Sequence, residues 1–265
     1  MPSATVSRLL DLPPVRWARR RRFDQRFATP AGGGACRGVY ATFAEAARSA
    51  PSTSSLGYDS TDAASMYRDR LDRVFPSDYP VLYWLQRLLT DDAHVLDLGG
   101  HVGVSYHAFR PYLPAVSTVR WSVHDVAAVM AAGRVLAAER QAAHELGFAD
   151  ALPDAAAADV FLAAGSLQYL EPTVDDLLRS LVALPRWVVI NKTPTHPRRS
   201  FVTLQHIGVS YCPYRIHAAD AFAERLAPLG YRCVDQWENP DLTCVVPFAD
   251  DAGPITYRGY AFVRE

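Results

Sequence analysis

Val95-Leu96-Asp97-Leu98-Gly99-Gly100-His101-Val102-Gly103 is the stretch that decides the fold. An apolar run ends in an acid and a Gly-rich turn, and a helical pattern follows over Ser105 to Tyr112. Glycines let the backbone approach a ligand closely and take positive φ. The N-terminus of the following helix aims unpaired N–H groups at that ligand. A Gly-rich turn alone is weak, because strand-to-helix turns also use glycine structurally.

Two further features sharpen it. The spacing after Gly99 does not fit a G-x-G-x-x-G dinucleotide fingerprint. Asp97 precedes the first glycine, where a carboxylate repels a pyrophosphate and suits a cationic amino group. Asp125 then closes the next apolar run, 22 residues after Gly103. A carboxylate there can accept hydrogen bonds from ribose hydroxyls. A ligand with a ribose and an ammonium but no phosphates is S-adenosylmethionine.

Outward from the turn, short β-rich runs alternate with helical ones. Strands are predicted at His94–Leu98, Val119–His124, Leu146–Phe148, Val160–Ala164, Trp187–Ile190, Arg232–Trp237 and Tyr257–Val263. Helices are predicted at Val126–Ala138, Val174–Leu184 and Asp220–Leu229. This alternation implies an α/β fold, a mostly parallel sheet with helices on both faces. The last two strands lack a helix between them and suggest an antiparallel edge.

Before the turn, helices are expected at Thr42–Ser49, Asp62–Val74 and Pro80–Leu89, with a loop over Pro51–Thr61. Pro80 suits a first helical position. Residues 1–35 read as a flexible basic leader. Pro13-Pro14, Arg19 to Arg22 and Ala31-Gly32-Gly33-Gly34 oppose a packed core there. The domain reading is therefore a leader (1–35), an N-terminal helical cap (36–92) and a cofactor domain (93–265) with an insertion at 194–217.

The chain has 265 residues, and 49% hydrophobic with 21% charged residues is an ordinary globular composition. The net charge of −1 divides into +6 over residues 1–40 and −7 beyond. A general polyanion-binding protein is thus disfavoured, and nucleic acid is not an expected partner. The Arg-rich leader has the composition either to lie on an anionic membrane surface or to dock a partner. Lys192 is the sole lysine and reads as compositional bias. Four cysteines without a CxxC pair read as free thiols in a reducing cytoplasm, with no metal site. No run reaches the ~20 apolar residues of a membrane helix. The first residues hold no stretch long enough for a secretory signal, so a cytoplasmic setting is expected.

The sequence resembles the class I S-adenosylmethionine-dependent methyltransferases over about residues 93–265. Asp97-Leu98-Gly99-Gly100 is similar to the D-x-G-G-G-x-G of small-molecule O-methyltransferases, with His101 in place of a third glycine. Trp121 to Gly133, Ala164 to Leu170 and Ile190 to Pro194 look like a bacterial group often linked with surface-polysaccharide gene clusters, as do Gly38-Val39-Tyr40 and Gly57-Tyr58-Asp59. The resemblance implies a Rossmann-like seven-stranded sheet with an antiparallel last strand and an N-terminal helical extension. It implies that Asp97, Gly99, Gly100 and His101 line the methionine and ribose side, and that Gly103 allows close helix–strand packing. Asp125 would hold the ribose hydroxyls and Asp150 the adenine amino group, unless either is simply a helix N-cap. Ala164 and Gly165 would pass under the methionine moiety. The fourth strand carries Gly165-Ser166-Leu167-Gln168-Tyr169 rather than the Asn/Asp-Pro-Pro-aromatic of DNA amino methyltransferases.

Methyl transfer to oxygen needs an aligned nucleophile and often a base. His196, just after the fifth strand, is the chosen base, with His206 and His217 as competitors. Tyr169 and Gln168 would orient the acceptor. The insertion 194–217 reads as part of the acceptor pocket or as a strand extension. Its arginines Arg198, Arg199 and Arg215 could receive a carboxylate or phosphate. The expected activity is methylation of a small molecule or sugar, with oxygen the favoured atom. The competing expectation is a catalytically silent protein of the same fold.

Overall fold

The computed structural model describes residues 12–60, 62, 65–113, 119–152 and 157–265. The strands are β1 (Cys36–Tyr40), β2 (Ser55–Leu56), β3 (His94–Leu98), β4 (Arg120–His124), β5 (Leu146–Phe148), β6 (Val160–Ala164), β7 (Trp187–His196), β8 (Phe201–His206), β9 (Ser210–Ala218), β10 (Tyr231–Glu238) and β11 (Thr256–Arg264). The helices are α1 (Pro13–Phe27), α2 (Phe43–Arg48), α3 (Tyr79–Leu88), α4 (Val104–Phe109), α5 (Ala127–Glu139), α6 (Val174–Arg179) and α7 (Ala219–Phe222).

Strands β5, β4, β3, β6 and β7 lie side by side and parallel. On β7 lies β11, antiparallel, and on β11 lies β10, also antiparallel. The expected parallel run and antiparallel edge are present among these strands. Successive side chains on a strand point to opposite faces, and the core divides accordingly. Val95, Leu162 and Val189 pack on one face with Leu85, Tyr106, Phe109 and Trp121. Leu96, Phe161, Val188 and Ile190 pack on the other with Leu178, Phe222 and Phe262.

The sheet is larger than expected, with eleven strands among the described residues. Strand β7 runs on to His196, beyond the predicted end at Ile190, and there pairs with β9 at Thr195 and His196. The insertion is a hairpin: β8 and β9 are antiparallel across a turn at Gly208, whose φ is +97°. Strand β1 adds to β8, and β2 to β9. The sequence hid β8 because nearly all its residues are buried, so no period-2 alternation marks it.

Two N-terminal expectations need correction. Residues 13–27 form a regular helix rather than an irregular leader. Pro13 and Pro14 start it, since proline is accommodated in a first helical turn, and arginines are good helix formers. Its last residue, Phe27, is fully buried against Leu204 and Tyr211. Residues 1–11 of that leader lie outside the described residues. The predicted helix over 62–74 does not extend through its described later part: residue 62 is helical, but residues 65–74 make turns and a short 3-10 segment at Arg68–Arg70. Residues 61, 63 and 64 lie outside the described residues. The other early helices stand at α2 and α3, with the Thr42 hydroxyl capping the Glu45 N–H at 3.1 Å. No helix among the described residues is long and apolar enough to cross a membrane.

Candidate functional site

A cavity of about 470 Å³ opens where β3, β4 and β6 end. That is within the ~300–1,000 Å³ of small-molecule sites, and strand carboxyl ends are where such sheets bind ligands. Gly99, Gly100 and His101 of the turn, Asp125 after β4, and Ala164 and Gly165 of β6 all line it.

The turn is built by contacts a side chain would break. Gly99 has φ +71°, and a Cβ there would lie 2.2 Å from Ser166 Cβ. A Cβ on Gly100 would lie 2.5 Å from the Asp97 carboxylate. His101, in the place of a third glycine, still takes the left-handed backbone that the turn requires, with φ +57°. Its ring stands edge-on to Tyr67 at 5.0 Å. Its backbone N–H donates to Asp125 Oδ2 at 2.9 Å, while Val126 N–H donates to Oδ1 at 2.7 Å. Asp125 thus fixes the turn and still faces the cavity. Burial raises its pKa above the usual carboxylate range.

Asp97 and Gly103 do not line the cavity; they support it. Asp97 is wholly buried under Gly100 and accepts from Trp121 Nε1 at 3.1 Å. Its Oδ1 has no hydrogen-bond partner among the described residues. Burial pushes its pKa up to about 7. Gly103, at φ +89°, lets the turn pack on β5, since a Cβ there would meet Leu146 at 2.7 Å. Asp150 lies elsewhere. It is exposed and paired with Arg134 at 2.6 Å, because the chain turns outward after β5 ends at Phe148.

On the acceptor side, Gln168 and Tyr169 both line the cavity. Gln168 Nε2 donates to the Gly165 carbonyl at 2.7 Å, leaving Oε1 buried without a partner. The Tyr169 hydroxyl donates to Gln205 Oε1 at 2.6 Å. Desolvation among the packed rings of the wall holds its pKa well above the ordinary phenol value.

His196 is not at the cavity. The extra length of β7 carries it past the wall, where Nδ1 accepts the backbone N–H groups of Arg198 and Arg199, each at 3.2 Å. Its competitors are structural as well. His206 packs between Phe27 and Tyr211. His217 is buried against Phe222, and desolvation lowers its pKa to about 3. Two of the insertion's arginines are also engaged away from the cavity, and Arg198 does not line it. Arg199 pairs with Asp251 at 2.7 Å, and Arg215 donates to the Glu171 carbonyl while lying over Phe43. The insertion nevertheless supplies wall residues, among them Gln205 and Tyr214.

Sequence reasoning missed the wall made by residues 58–78. Tyr58, Tyr67, Arg70, Arg73, Phe75 and Asp78 line the cavity, and the Tyr58 and Tyr67 rings reach His101 of the turn. Asp78 Oδ1 accepts from Lys192 Nζ at 2.5 Å, and both line the cavity. The signal was present as the single lysine of the chain, but its partner is 114 residues away.

No family model and no curated protein matches the sequence. Folds do match. The 1,6-didemethyltoxoflavin-N1-methyltransferase of Burkholderia thailandensis, crystallised with 1,6-didemethyltoxoflavin and S-adenosylhomocysteine, is similar to this chain with TM-score 0.54. The two are 18% identical, over 77% of this chain and 82% of that one. The chain has the Rossmann-like fold of such methyltransferases. A candidate sarcosine dimethylglycine methyltransferase of Galdieria sulphuraria gives TM-score 0.50 at 12% identity, over 76% of this chain and 92% of that one.

Proposed function

We propose that the chain is an S-adenosylmethionine-dependent methyltransferase acting on a small molecule, with oxygen the expected methyl acceptor. The observation that carries this is the convergence of Gly99, Gly100, Asp125, Ala164 and Gly165 on one cavity at the strand ends. The fold likeness supports it, and so does the fit of the residues to the cofactor. Asp125 keeps lone pairs beyond its two backbone bonds and can accept from ribose hydroxyls. Gly165 leaves the floor open: the nearest group to a Cβ there is Lys192 at 3.6 Å. Asp97, with Oδ1 unpartnered beneath the turn, favours an ammonium above it.

When bound, the cofactor supplies an electrophilic methyl group on a sulfonium. The chain's own part is to bind, orient and exclude water. Gln168 lines the cavity, and its Oε1, buried and without a partner among the described residues, would meet a donor on the acceptor after a small side-chain shift. Tyr169, held by Gln205, gives that side a fixed aromatic wall. His101 is the one histidine among the lining residues, and its place in the turn, packed on Tyr67, supports a cofactor-side role. The base role expected of His196 therefore drops out, and positioning carries the step.

Arg70 and Arg73 form no ion pair among the described residues and lie over the rings of Tyr67 and Phe75. They support an acceptor with a flat ring and an acidic group over an uncharged sugar. In this reading residues 36–92 are the cap over a cofactor domain of 93–265, in a cytoplasmic setting.

The test is calorimetry with S-adenosylhomocysteine, followed by a screen for its release from S-adenosylmethionine on matched carboxylated and neutral aromatic acceptors. Absence of binding sinks the proposal. Binding without turnover on any acceptor favours the catalytically silent alternative.

A further inference from the structure

Cys36 and Cys244 are 208 residues apart in sequence, yet their Sγ atoms are 3.7 Å apart. Cys36 stands on β1, opposite Gln205 of β8, and is 2% exposed. Cys244 stands in the connection between β10 and β11 and is partly exposed, next to Val245, which is 70% exposed. Both are free thiols. The other two cysteines, Cys212 and Cys233, have no such neighbour among the described residues. We propose that Cys36 and Cys244 form an oxidisable dithiol that closes to a disulfide under a peroxide oxidant and ties the β10–β11 connection to β1 beside the cavity.

The two sulfurs have different roles, set by their surroundings. The nucleophile toward peroxide is a thiolate that the oxidant can reach. That is Cys244. The Cys36 sulfur at 3.7 Å and the neighbouring Tyr257 hydroxyl hold its pKa below the ordinary thiol range. Cys36 is shielded, and its pKa is raised by the same contact and by burial. It is therefore the resolving thiol. The Cys244 thiolate attacks one oxygen of hydrogen peroxide, the O–O bond breaks, and a sulfenic acid forms on Cys244 with loss of hydroxide. The Cys36 sulfur then attacks the sulfenic sulfur. Its proton and the departing hydroxyl leave as water. Two thiols are oxidised by two electrons, and one peroxide is reduced to two waters.

Geometry allows closure at small cost. The sulfurs must approach by about 1.6 Å to reach bonding distance, and Cys244 sits in a connection without regular structure. The closure bears on the cavity from two sides. Leu242 and Thr243, just before Cys244, line it. So does Gln205, the cross-strand neighbour of Cys36 and the acceptor of the Tyr169 hydroxyl.

The experiment treats the reduced full-length protein with hydrogen peroxide. Free thiols are counted with a chromogenic disulfide and the linked peptides mapped by mass spectrometry without reduction. The expected result is a fall from four thiols to two, a single Cys36–Cys244 linkage reversed by dithiothreitol, and a melting temperature raised by several degrees. Cys36→Ser should stop at a sulfenic acid on Cys244, trapped by dimedone, and Cys244→Ser should lose peroxide reactivity at least tenfold. Should either serine variant fail to fold, the alanine variant replaces it. A linkage through Cys212 or Cys233, undiminished reactivity in the Cys244 variant, or four surviving thiols in excess peroxide would each overturn the proposal.

Discussion

Lys192 at the end of the parallel sheet and Asp78 ahead of α3 meet at 2.5 Å across one wall of the cavity, and their side chains are only 17% and 11% exposed. Asp78 is fixed from behind, because its Oδ2 accepts the Phe75 N–H at 2.9 Å. Asn191, next to Lys192, donates to the Ser77 carbonyl at 2.7 Å. The pair thus joins the N-terminal segment to the sheet where a ligand would sit.

Losing one partner of a mostly buried pair strands a charge. Asp78→Asn or Lys192→Met should each cost about 3 kcal/mol. The double variant Asp78→Leu with Lys192→Met should recover a large part of that loss, since it leaves no buried charge alone. Urea melts of the three proteins check this. Single-variant losses below about 1 kcal/mol would mean the pair is effectively solvated.

Asp125 links the turn to the cavity. Asp125→Ala should weaken S-adenosylhomocysteine binding by roughly ten- to a hundredfold, the loss of about 1.5–3 kcal/mol of charged hydrogen bonding. Asp125→Asn should lie between, because its amide oxygen still accepts one backbone N–H. Isothermal calorimetry measures both. Unchanged affinity in the alanine variant would remove Asp125 from the cofactor site.

The Asp97 carboxyl, pushed up to about 7 by burial, has a signed consequence for pH. Its ordinary pKa is 3.8. Below that, folded and unfolded chains both carry the proton and nothing differs. Between 3.8 and about 7 the unfolded chain loses the proton first, so this group lowers stability as pH rises. Above about 7 the burden is constant. Asp97→Asn keeps an acceptor for Trp121 Nε1 and removes the titration. The variant should match the parent near pH 4, exceed it increasingly up to about pH 7 and keep a constant margin from there to pH 8. Melting temperatures across that range test the sign, and a constant offset would refute it.

The sequence made the parallel core readable because its strands are short apolar runs bounded by turn residues. Strands β3, β5 and β6 lie at their expected residues. Local pattern could not register contacts that pair distant segments. Asp78 with Lys192 is one, and the docking of β1 on β8 is another. His196 illustrates a different limit. Its place after an expected strand end pointed to the pocket, but β7 continues through it, and the hairpin β8–β9 covers the far end. Asp150 failed similarly, because a carboxylate after a strand is as easily turned toward a surface arginine as toward a ligand.

A Pro- and Arg-rich start suggests a dispensable leader, and removal of residues 1–30 would then be silent. The structure instead ends α1 on Phe27, fully buried, stacked on Tyr211 at 5.4 Å and edge-on to His206 at 5.9 Å. Its carbonyl accepts from the Tyr211 hydroxyl at 3.2 Å, and the Arg37 guanidinium lies 4.7 Å from its ring. Leu204 and Tyr211, on β8 and β9, have this ring as their cover. Phe27→Ala should therefore cost about 3–5 kcal/mol, and removal of residues 1–30 should cost at least as much. The damage should concentrate on the hairpin that walls the cavity. Hydrogen exchange would read this as lost protection in β8 and β9 with β3, β4 and β6 little changed. Full protection of the hairpin in the truncated protein would restore the dispensable-leader reading.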